Sequence, residues 1–118
     1  MKTKLRGVFL TADDPAVTAR FYREVAGLPL EEIGDGGHRY WKCDEAGIQL
    51  AIHSARLFSE YAWPPNPKSN LTHLYFKIED QKTFYRHLKK LGMEALCADE
   101  VVITVLDPDG RKVMFGIA

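Results

Sequence analysis

The sequence has no surplus of either charge: 16 Lys and Arg are balanced by 16 Asp and Glu. Without a basic excess there is little to release counterions from a polyanion, so nucleic acid is not expected as a partner. No apolar run approaches the roughly 18 residues that a membrane span needs, so no membrane association is expected either. The basic start, Met1-Lys2-Thr3-Lys4, leads into a stretch broken by Arg6, Thr11, Asp13 and Asp14, which is no signal peptide. Cysteine is scarce. Cys43 and Cys97 lie far apart, form no CxxC pair and have no paired base in view, so they read as packing residues of a reduced, cytoplasmic protein. Together with four histidines they are most of the soft metal-ligand supply. What is present is an ordinary globular composition, 46% hydrophobic and 27% charged over 118 residues. That length makes one domain able to bury roughly two-thirds of its unfolded surface without a staple.

Along the chain a pattern repeats. Gly7 to Thr11 alternates as a strand and ends at Asp14-Pro15, an N-cap followed by a proline suited to the first helical turn. Val17, Phe21 and Val25 then form a helical stripe that Gly27 closes. Leu28 to Ile33, Arg39 to Cys43 and Ile48 to His53 read as strands, joined by turns at Asp35-Gly36-Gly37 and at 44–47. The second half has the same order. His73 to Ile78 is a strand, Asp80 an N-cap, and Phe84, Leu88 and Leu91 a stripe ended by Gly92. Met93 to Cys97, Val101 to Leu106 and Val113 to Ile117 are strands, the last two joined by the turn Asp107-Pro108-Asp109-Gly110. Asp14 to Asp80 is 66 positions, while Gly27 to Gly92 and Ile48 to Val113 are 65 each. Matched order at one spacing argues a duplicated unit. The expected class is α+β, two tandem βαβββ modules making a cup-shaped mixed sheet with helices on its outer face. Module one spans about 5–53 and module two about 71–118. Between them 54–70 holds three prolines, which argue against helix or strand and leave a linker or lid loop.

Strand alternation sorts the side chains. Val8, Leu10, Ile48, Leu50, Ile52, Leu74, Phe76, Ile78, Val113, Phe115 and Ile117 share an apolar face suited to the helices. Gly7, Phe9, Thr11, Gln49, Ala51, His53, His73, Tyr75, Lys77, Met114 and Gly116 share the other. This second face mixes large apolar groups with a few polar atoms, the composition of a small-molecule pocket. Among the other histidines, His38 follows a turn and reads as surface, and His87 lies off the apolar stripe and reads as solvated.

The duplicated units, Phe21-Tyr22 after the Asp-Pro start, Gly27-Leu28 and the closing Asp107-Pro108-Asp109-Gly110 together resemble the vicinal oxygen chelate superfamily. Its members include glyoxalase I, extradiol dioxygenases, fosfomycin-resistance enzymes and bleomycin-binding proteins. The resemblance covers nearly the whole chain and implies a cup with the ligand inside, often in a homodimer. It also implies four metal positions, on the first and last strands of each module. Registered on the repeat, these are Gly7, Gln49, His73 and Met114. Gly7 offers no side chain, Gln49 is a weak neutral donor, and a thioether suits soft copper, not hard divalent ions. The closest branch is therefore the one without a metal, resembling bleomycin-resistance proteins. A small-molecule binding role follows as the expectation, with no catalytic residue assigned and no cofactor. His73, Gln49, Tyr75 and His53 would orient the ligand, Phe9, Met114 and Trp63 would contact it, and Trp63 with Tyr61 would form a lid. Two alternatives stand beside this. One is a metal-dependent lyase, transferase or dioxygenase with a displaced divalent ion on His73, Gln49, His53 and Glu60. The other is a regulatory interaction module whose cup is filled by its own side chains.

Overall fold

A computed structural model describes residues 1–60, 63–64 and 73–118. The first module runs β1 (Gly7–Ala12), α1 (Pro15–Glu24), β2 (Glu31–Ile33), β3 (Tyr40–Glu45) and β4 (Ile48–Ser54). A single turn of helix, α2 (Ala55–Phe58), follows. The second module runs β5 (Leu74–Lys77), α3 (Gln81–Lys90), β6 (Cys97–Ala98), β7 (Val102–Leu106) and β8 (Lys112–Gly116). Each module is a four-stranded mixed sheet, ordered β1-β4-β3-β2 and β5-β8-β7-β6. The α+β class and the duplicated unit are as expected, but the two sheets are open rather than curled into a closed cup.

Local chemistry explains the element ends. Asp14 accepts from the Ala16 and Val17 amides, and Asp80 from the Thr83 amide at 2.7 Å, so each helix starts on a side-chain cap. Gly27 and Gly92 stop the helices with φ of +71° and +67°, where a side chain would be strained. The loop expectation for 54–70 fails at its start. The residues ahead of the first proline make α2, because the Ser54 hydroxyl accepts from the Leu57 amide. Tyr61 and the prolines at 65 and 67 lie outside the described residues. The strands expected over 28–33 and 93–97 shrink to β2 and β6, and Asp35-Gly36-Gly37 opens a 3₁₀ turn over Gly36–His38. At 44–47 the strand continues through Glu45, and Ala46 and Gly47 make the turn with positive φ.

The sheet faces divide as alternation requires. Leu10, Ala12, Trp41, Cys43 and Ile52 pack under α1 with Phe21, Tyr22 and Val25, and continue into Ile103, Val105, Val113 and Phe115 beside Phe84 and Leu88 of α3. Three apolar assignments need correction. Val17 is exposed, because α1 turns Thr18 and Tyr22 inward to meet module two. Ile117 is exposed beyond the end of β8. Cys97 is exposed on the short β6 and packs in no core, whereas Cys43 is buried.

Candidate functional site

The sheet face away from the helices is built in rows. In module one the pairing sets Gly7 beside Gln49 and Asp44, Phe9 beside Ala51 and Lys42, and Thr11 beside His53. In module two it sets Tyr75 beside Met114 and Thr104, and Lys77 beside Gly116. The residues expected on one face are therefore on one face. Their register differs from the repeat arithmetic. An offset of 66 on the first strand and 65 on the last would set His73 opposite Met114. The structure sets Tyr75 there, a slip of two residues that preserves the face. His73 lies just ahead of β5 and is exposed, rather than mid-face opposite Gln49; Gln49 pairs with Gly7 instead.

The module-one half of this face is partly covered from within, although Phe9 itself is 50% exposed. The His53 ring stacks on Tyr40 at 4.6 Å with only 12° between planes, and Phe9 and Phe58 flank it at 5.4 and 5.0 Å. Phe58 comes from α2, which sits against β1 and β4. Burial holds the His53 pKa below its ordinary 6.5, so the ring is neutral near pH 7. It is a wall of the face more than a free base. At the far end Asp44 lies within 3.5 Å of Arg6 and 3.6 Å of Lys42, so the one acid in that row is neutralised.

The module-two half is more open. Tyr75 is exposed and lies flat over β8, where its hydroxyl donates to the Ala118 carbonyl at 3.0 Å. Only glycine fits beneath it: a Cβ on Gly116 would lie 2.2 Å from the Tyr75 hydroxyl oxygen. Met114 is half-buried beside it. Trp63 is 78% exposed, and Glu60 is exposed, while Tyr61 lies outside the described residues.

The donor set does not fit a divalent metal. At Gly7 even a Cβ would meet the Gln49 carbonyl oxygen at 2.9 Å and the Phe9 ring at 3.0 Å, so the position is closed to a ligating side chain. Gln49 is neutral, Met114 offers a thioether, and His73 stands outside the Tyr75–Met114 row. A displaced site finds no support in geometry: among the described residues no three His, Cys, Asp or Glu gather to hold an ion, and His53 is enclosed by rings.

The most elaborate polar cluster lies elsewhere and is not legible from motif spacing. Asp107 is buried, with its Oδ1 accepting from the Asp109 and Arg111 amides at 2.8 and 2.9 Å. Its Oδ2 accepts from the Tyr22 hydroxyl and from Arg111 Nη1, each at 2.8 Å. Arg111 also donates to the Thr11 carbonyl, and Thr18 to Asp109. The DPDG turn of module two thus plugs into the β1–α1 end of module one. Burial, then the Asp107 carboxylate, pushes the Tyr22 pKa far up. Burial works most strongly against charge on Arg111, but the bond and charge of Asp107, with Tyr22 and Asp109, together outweigh it and hold its pKa above the ordinary value. His87 is also misjudged by sequence alone. It is half-buried, and its Nε2 donates to the Glu24 carbonyl at 2.6 Å, tying α3 to α1.

A family model described as a glyoxalase-like domain matches residues 7–115. No curated protein matches the sequence. Among solved structures, a lactoylglutathione lyase from Agrobacterium tumefaciens is 20% identical with a TM-score of 0.67, covering 98% of this chain and 93% of that one. A glyoxalase-related enzyme from Fulvimarina pelagi is 18% identical with a TM-score of 0.73, over 98% and 88%. A virulence protein from Salmonella typhimurium is 19% identical with a TM-score of 0.73, over 98% and 96%. At these identities the likeness establishes the fold.

Proposed function

The chain belongs to the glyoxalase-like domain family, within the vicinal oxygen chelate superfamily, and on that premise we propose that it binds a small molecule on its open sheet face without a catalytic metal. One observation carries this reading. The positions that the repeat assigns to the superfamily's metal ligands are Gly7, Gln49, His73 and Met114; Gly7 is sterically closed, and the strand pairing puts Tyr75 rather than His73 opposite Met114. A face with that chemistry recognises shape and hydrogen bonds, not a metal-bound oxygen. The ligand rests mainly on the module-two half, against Tyr75 and Met114. His73 and Gln49 orient it, and Phe9 supports it from the edge of the His53 cluster. Trp63 is free to close over it. Function is sequestration in the cytoplasm, and the protein works as a homodimer whose second copy covers part of the open face.

A thermal-shift screen over aromatic and peptide-like antibiotics, α-keto compounds and divalent metals tests this, because a ligand that binds only the native state raises its melting temperature. The expected result is a stabilising organic ligand whose effect is lost in Tyr75→Ala and halved or worse in His73→Ala. A stoichiometric divalent ion in protein purified without chelator, removed by His73→Ala, would overturn the reading in favour of an enzyme. Size-exclusion chromatography with light scattering tests the dimer.

A further inference from the structure

The plug of Asp107 and Arg111 occupies a socket made by the Thr11 carbonyl, Thr18 and Tyr22. A duplicated fold generates that socket twice. A shift of 66 carries Thr11, Thr18 and Tyr22 to Lys77, Phe84 and Leu88, and the turn facing them is then 44–47 of module one. There the socket is not plugged. A groove of about 580 Å³ remains, lined by Phe76, Phe84 and Phe115 of module two, the α1 end from Val25 to Leu28, Glu45 and His87. Its size lies within the range of small-molecule sites. Behind it Phe115 is stacked on Phe84 at 4.4 Å and on Phe76 at 5.5 Å; Phe115 and Phe84 are buried, so the apolar surface open to a ligand is the half-buried Phe76 and Ile78. Where the plugged socket offers hydroxyls, this one offers apolar walls, so a polar turn like 107–111 would gain nothing by entering.

Among the side chains lining this groove the Glu45 carboxylate supplies an acceptor. The Glu24 carbonyl can only accept, so the hydrogen of the 2.6 Å contact sits on His87 Nε2, and that donor is spent within the protein. Among the described residues the Glu45 carboxylate forms no ion pair. The end of α1 adds the negative pole of a helix dipole. Lys77 borders the groove, but strand alternation turns its side chain to the other face, where its ammonium donates to the Ile117 carbonyl.

We propose that this groove between α1 and α3 is a second ligand site, which takes a small protonated amine with an apolar or aromatic body, its ammonium on Glu45 and its body on Phe76 and Ile78. The site lies on the helix-covered side of the sheets, opposite Phe9, Gln49, Tyr75 and Met114, and stands whether or not that other face binds a ligand.

The test uses the full chain, titrated with 2-phenylethylamine and, as an isostere of opposite charge, phenylacetate, while backbone amide resonances are followed. The amine should shift the amides of Ala26, Glu45 and His87 saturably and leave those of Phe9 and Met114 in place; phenylacetate should shift none. Glu45→Gln should weaken the amine about tenfold, as expected for one charge-assisted hydrogen bond. Ala26→Met, which fills the groove from the α1 end, should abolish binding. Equal binding of phenylacetate, shifts confined to the open sheet face, undiminished affinity in Glu45→Gln, or no amine binding would each overturn the proposal. So would groove shifts that follow protein concentration alone, which would assign the groove to a second copy.

Discussion

Asp107 receives four hydrogen bonds through two oxygens, and its side chain is fully withdrawn from water. Removing it leaves Arg111, whose side chain is only 11% exposed, with the Thr11 carbonyl and its longer 3.4 Å pair to Asp109. Breaking the closer partner of such a buried pair leaves the charge poorly compensated and also frees three other donors, so Asp107→Ala should cost about 3–5 kcal/mol in urea unfolding. Tyr22→Phe removes one donor and should cost about 1–2 kcal/mol. None of this could be read from spacing. Tyr22 follows Phe21 and falls off the stripe of Val17, Phe21 and Val25, and Asp107-Pro108-Asp109-Gly110 is a strong enough turn to need no other purpose. Arg111 directly after the turn was the only available signal. His53 makes the complementary case. Its alternation position was legible; its enclosure by Tyr40 and Phe58 was not. Charging it is harder in the folded protein than in the unfolded chain. The unfolded chain therefore binds more protons as pH falls below about 6.5, and the contribution present above that value is lost on descent through the lower folded pKa. Urea midpoints at pH 7.5 and 5.5 should differ more in the parent than in His53→Phe.

The helix α2 shows where local signals stop. Pro64 argues correctly against regular structure at its own position, but it says nothing about residues 55–58. Those residues are capped by Ser54 and press Phe58 onto His53. The long helices were legible because both carry a capping Asp and a terminating Gly, the signals with the least dependence on tertiary context. Strands β2 and β6 came out shorter than their patterns because each lies at a sheet edge, with one neighbour to pair with. Phe58 is the side chain by which α2 meets the rings of Phe9 and His53, so the effect of removing it can be predicted. Phe58→Ala should cost about 1–2 kcal/mol for a half-buried ring. It should also uncover His53 and move its pKa up toward 6.5, visible in a proton NMR titration of that ring. A His53 pKa unchanged by the substitution would mean that Tyr40 and Phe9 alone desolvate it.

Duplication was visible as offsets of 66 and 65, yet the two halves are not interchangeable. The pairing of first and last strands slips by two residues between modules, and one inter-module socket is plugged while its counterpart stays open. Offsets count chain, not contacts, so neither difference could be read before the strands were paired. Both bear on whether the modules fold alone. One continuous core runs from Leu10 and Trp41 through Tyr22 to Phe84, Ile103 and Phe115. Among the described residues, polar ties between modules include Tyr22 to Asp107, Thr18 and the Asp13 amide to Asp109, Arg111 to Thr11 and His87 to Glu24, and they converge on α1 and the segment before it. A unit of about 60 residues buries only about 60% of its unfolded surface and is marginal at best. Cut away from module two, the first module would also expose Phe21, Tyr22 and Val25 and leave the Tyr22 hydroxyl without its carboxylate. The full chain should therefore unfold in one transition that circular dichroism and tryptophan fluorescence report identically, with both tryptophans, Trp41 and Trp63, outside module two. A fragment of residues 1–60 should be unfolded alone and regain structure when mixed with 61–118. Two separated transitions, or a fragment that folds alone, would mean that the shared core and the Asp107 plug join modules that are already complete.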